Sequence, residues 1–95
     1  MDSTEKLSFI KENIRLFYLK TIKDCFTAVL MHQVDFRTKG FDCLVMSENP
    51  YDKDGVGVMT KAHLGRHLGK RIQYRSLPQG CQKLICEVLF EGRKF

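Results

Sequence analysis

No stretch of this chain stays apolar for the ~18 residues that a bilayer-spanning helix needs. The densest run, 26–36, is broken by Thr27, His32, Gln33 and Asp35, so we expect a soluble protein with no membrane partner. The opening Met-Asp-Ser-Thr-Glu-Lys has no basic leader followed by an apolar run and a small-residue cleavage site, which leads us to expect an intracellular protein, cytoplasmic or nuclear. Cys25, Cys43, Cys81 and Cys86 are separated by 17, 37 and 4 residues and so lack the close pair of a zinc ribbon or a redox site. Reduced, buried thiols acting as small apolar side chains are the expectation. Also missing are a Walker loop, a Gly-x-Ser-x-Gly elbow and an acidic cluster suited to magnesium. These absences argue against an enzyme, and no cofactor is implied.

Charge is unevenly placed. Residues 60–95 hold eight Lys or Arg against Glu87 and Glu91, a net of +6, whereas residues 1–59 hold eight against nine, a net of −1. Such polarity points to a polyanionic partner, DNA or RNA above all. At 95 residues and 43% apolar content the chain suits one small domain, residues 1–95, with a modest core.

Asp2 or Ser3 can cap a helix, with Glu5 completing a capping box after Asp2. Leu7, Ile10, Ile14, Phe17 and Tyr18 then keep helical spacing, which predicts a helix over about 4–20. From Phe26 the period becomes two, and Phe41, Cys43 and Val45 repeat it after a turn at 37–40, predicting a β-hairpin. Continuation of the first helix through Ile22, Cys25 and Val29 is the competing reading. The polar segment 47–55 reads as a connector. Aligned as a calcium loop it would put Pro50 first and Lys61 where a bidentate acid belongs, so coordination fails.

Thr60 suits the N-cap of a helix over 61–72, with Leu64, Leu68 and Ile72 on one side and His63, Arg66, His67 and Lys70 on the other. Gly65 and Gly69 inside that helix would each cost about 1 kcal/mol relative to Ala, which implies close approach by a backbone, either that of a nucleic acid or of another element of the protein. Leu77-Pro78-Gln79-Gly80 suits a type I turn joining strands 73–77 and 82–90, the second with Leu84, Cys86, Val88 and Phe90 on one face. The fold class that results is α+β, two helices against antiparallel strands in the order α-β-β-α-β-β.

The segment Met59-Thr-Lys-Ala-His-Leu-Gly-Arg-His-Leu-Gly-Lys-Arg-Ile, followed by Gln73-Tyr-Arg and Leu84-Ile-Cys-Glu-Val-Leu-Phe, resembles the recognition helix and wing of winged-helix DNA-binding domains, particularly those at the C-termini of viral and phage primase-helicases. The resemblance implies a winged-helix-like alternative fold. In it His63, Arg66, His67 and Lys70 would face a groove, and Arg75 and Lys83 would touch the DNA backbone. The expected site is then a nucleic-acid interface of Lys61, His63, Arg66, His67, Lys70, Arg71, Tyr74, Arg75 and Lys83, with Tyr74 stacking on a base. His63 and His67 lack the further ligands of a known zinc arrangement, so no metal is expected. The alternative function is a protein-binding module or inhibitor, such as a small viral protein, docking the same basic face on an acidic or nucleic-acid-binding surface of a larger complex.

Overall fold

A computed structural model describes residues 1–35, 37 and 39–94. Helix α1 spans Ser3–Asn13. Asp2 caps it, its carboxylate accepting from the Glu5 N–H at 2.8 Å. The helix does not run on to residue 20 as its periodicity predicts. It stops at Asn13, and strand β1 follows at once as Ile14–Lys20. The Arg15 guanidinium reaches back to the Lys11 and Glu12 carbonyls, satisfying acceptors that the helix end leaves open. Phe17 and Tyr18 do keep helical spacing with Ile10 and Ile14, but they point to opposite faces of a sheet, and each face is packed.

Strands β2 (Asp24–Asp35) and β3 (Gly40–Met46) form the hairpin expected from their period of two. The turn expected at 37–40 lies partly outside the described residues. Strand β4 (Val56–Ala62) extends the meander, and β5 (Lys70–Ile72) pairs with β1, giving the antiparallel order β4-β3-β2-β1-β5. Helix α2 spans Gln79–Phe90. The class is thus the expected one, two helices and an antiparallel sheet, but the elements after residue 55 are differently assigned.

Residues 61–72 are not a helix. They form the end of β4, an exposed loop, a 3-10 turn at Arg66–Leu68 and then β5. Residues 82–90 are not a strand, and 73–77 hold a second 3-10 turn, Tyr74–Ser76. Alternation of Leu84, Cys86, Val88 and Phe90 is real, yet Cys81, Leu84, Ile85 and Val88 also repeat at helical spacing, and the helical face is the one buried. Pro78 directly precedes α2, where its missing N–H and fixed φ suit a helix start, so the expected turn between strands is a helix entry instead. The recognition helix and wing that carry the winged-helix resemblance are therefore formed by neither segment.

Both helices lie on one face of the sheet, where Leu16, Phe26, Ala28 and Leu44 meet Ile10, Leu84 and Ile85. The chain from β4 to β5 crosses the other face. Ala62 and Leu68 anchor it there, buried against Phe17, Val29 and Cys43. The 47–55 connector closes on itself through Ser47 N–H to Gly55 O at 2.8 Å. It is also latched to α2, because the Tyr51 hydroxyl donates to Glu87 at 2.6 Å and Arg93 donates to the same carboxylate at 2.8 Å.

The Tyr51 hydrogen bond, with Arg93 second, holds the Glu87 carboxyl below its ordinary pKa. A carboxyl depressed in the folded state contributes stability that is complete above its unfolded pKa and fades as pH falls through the folded one. Melting temperature should therefore drop between roughly pH 5 and pH 3, and Glu87→Gln should flatten that part of the profile. Burial raises the Cys43 and Cys81 thiols to about 11. Both are fully buried, so in the native protein they should resist alkylation at pH 8, while half-buried Cys25 and Cys86 react first.

Candidate anion-binding surface

Strand register decides which cations share a surface. Arg71 pairs with Phe17 and therefore points with it to the face away from the helices, whereas Lys70 pairs with Tyr18 and points to the helical side. Adjacent basic residues are thus separated by the sheet. Lys61, the last residue but one of β4, takes a left-handed conformation, φ +60°, beside Gly40. His63, Arg66 and His67 are exposed on the span that arches between buried Ala62 and Leu68. His63, Arg66 and His67 thus lie on the span that crosses the outer face, with Lys61 at its start on the β4 edge and Arg71 on the opposite, β5, edge.

The remaining expected site residues lie elsewhere. Tyr74 packs toward α2, with its hydroxyl donating to Gln82 O at 3.1 Å and lying 3.2 Å from Cys86 Sγ. Burial and that sulfur neighbour push its pKa up, and its ring is committed to the protein's own packing. Lys83 sits on α2 with its ammonium 5.4 Å from the centre of the Tyr51 ring. Arg75, exposed in the Tyr74–Ser76 turn, borders a groove on the helical side. The nine residues do not form one patch.

The segment that carries these cations holds no acid of its own. No Asp or Glu occurs from Gly55 to Cys86, and the outward positions paired around Phe17, Thr27, Val45 and Gly57 are uncharged. Among the described residues the ion pairs are Lys20 with Asp24 and Arg93 with Glu87, neither on this face. Positive charge without ion-pair partners suits phosphate groups, which need Coulombic attraction more than shape. Periodicity could not reveal this grouping, because it depends on β5 pairing with β1, five elements earlier in the chain.

The groove between α1 and residues 71–75 has a volume of about 860 Å³. Its buried lining is Ile10, Ile14 and Leu16, Leu7 and Ile72 widen it, and Lys11, Arg71 and Arg75 border it. Leu7 and Lys11 belong to a helix whose apolar stripe reads from its sequence as cover for the core in preference to a partner-binding face. The one signal that more is involved is the single-turn spacing that puts a cation beside the apolar stripe.

Among the described residues no group of three or more His, Cys, Asp or Glu is placed to hold a metal ion, and no helix is long and apolar enough to cross a membrane. In comparisons with known proteins, no family, no curated protein and no solved structure matches this chain.

Proposed function

We propose that this protein is a small nucleic-acid-binding module whose contact surface is the outer face of the sheet and the 61–71 crossover. What carries the reading is that Lys61, Arg66 and Arg71 form no ion pair among the described residues, along a segment, 55–86, that contains no Asp or Glu. His63 and His67 extend the same surface and add hydrogen-bonding groups. Contacts of this kind go to the phosphate backbone, so binding is sequence-tolerant and strongly dependent on salt.

Fluorescence anisotropy with labelled single- and double-stranded oligonucleotides across a salt series tests it. Each phosphate contact removed lowers the slope of log affinity against log salt by about 0.7 to 0.9. The triple change Lys61→Gln, Arg66→Gln, Arg71→Gln is expected to remove roughly two to three units of slope, while Lys83→Gln, on α2 beside Tyr51, leaves it unchanged. An unaltered slope in the triple variant sinks the reading. Failure of both oligonucleotides to bind, with an acidic peptide binding the same face, assigns the surface to a protein partner instead.

A further inference from the structure

We infer that the groove between α1 and the β5 end of the sheet is a binding site for a medium-chain carboxylic acid, distinct from the outer face although Arg71 borders both. Its volume of about 860 Å³ falls within the roughly 300–1,000 Å³ of small-molecule sites. The floor is aliphatic: Ile10, Ile14 and Leu16 are only 2%, 4% and 4% exposed and close it off from the opposite side of the sheet. Leu7, half-exposed at 51%, is an apolar lip left uncovered by the fold. An alkyl chain lying on this floor would remove Leu7 and Ile72 from water.

The groove's charge selects the head group. Lys11 on α1 and Arg75 on the Tyr74–Ser76 turn both line it and are exposed, Arg71 borders it as a third cation, and no acid is among its described lining residues. Cations bordering an aliphatic floor complement a carboxylate attached to a hydrocarbon tail. A nucleotide fits poorly, because Tyr74, the one aromatic among the described lining residues, packs against the protein's own core.

The test is an NMR titration of the full chain with decanoate, decanol and decyltrimethylammonium, each below its micelle concentration, following the methyl signals of Leu7 and Ile72. Decanoate is expected to shift those signals and to bind at least about tenfold more tightly than decanol, the difference that one charge-assisted hydrogen bond supplies. The cationic surfactant should not bind. Lys11→Gln with Arg75→Gln is expected to weaken decanoate at least about threefold while leaving decanol unchanged, and Leu7→Gln to weaken both. Both variants alter exposed residues, so circular dichroism should confirm an unchanged fold. Equal affinity for decanoate and decanol overturns the proposal, as does the absence of any shift at Leu7 and Ile72. Shifts confined to anionic vesicles overturn it too, and so does concentration-dependent broadening of Leu7 and Ile72 without ligand, which would place a second copy of the chain in the groove.

Discussion

Gly69→Ala should destabilise the protein by about 3 kcal/mol or more, the scale of a strained backbone combined with a steric clash that cannot relax. Gly69 links the Arg66–Leu68 turn to β5 at φ +101° and ψ −157°, a combination that side chains with a Cβ essentially do not adopt. A methyl group there would lie 2.3 Å from the Tyr18 carbonyl oxygen and 2.9 Å from Leu19 Cα. These are backbone atoms of β1, paired to β2 along seven residues, so they cannot move aside without disturbing the centre of the sheet. The strain is instead relieved by detaching β5. Gly57→Ala is the matched control, since nothing lies within 4 Å of its added Cβ, and loss of a strand glycine should stabilise by about 0.5 kcal/mol. Urea denaturation compares the two. Equal midpoints would show that β5 does not dock on β1. Because β5 carries Arg71, Gly69→Ala should also weaken oligonucleotide binding, whereas Gly57→Ala should not.

The same glycine shows what the sequence could and could not disclose. Two glycines in a basic segment imply close backbone approach, and at Gly69 the approaching backbone is the protein's own Tyr18. The β2–β3 hairpin and the start of α1 were legible because local rules suffice for them: alternation in one case, an Asp2 cap in the other. Strand β1 was hidden because Leu16 and Phe17 are buried on opposite faces, which removes the polar alternation that marks a strand. Helix α2 was hidden by an apolar run compatible with either period. The charge polarity of the chain was plain from residue counts, but its distribution was not. Neighbouring Lys70 and Arg71 are sent to opposite sides by a pairing with β1 that no local pattern encodes.

Leu64, Leu68 and Ile72 give the second large effect, and it separates the two ways this segment could have folded. On one stripe of a helix the three would be buried alike, and truncating any of them would cost a similar amount. In the folded chain their surroundings differ. Leu68 is 5% exposed and packs with Phe17, Val29 and Cys43 on the outer face, Ile72 is half-buried on the opposite face, and Leu64 is 46% exposed in the loop. Leu68→Ala should therefore cost about 2–4 kcal/mol, within the range for large-to-small changes at buried sites, Ile72→Ala about 1–2 kcal/mol because its site is partly open, and Leu64→Ala less than about 0.5 kcal/mol, as at exposed positions. Leu68 also pins the exposed span that carries His63, Arg66 and His67. Its truncation should loosen that span before the sheet melts, seen as faster amide exchange over 63–69 than over β2. Equal costs at all three positions would mean that the segment is a helix after all, and the outer cationic surface would no longer exist as described.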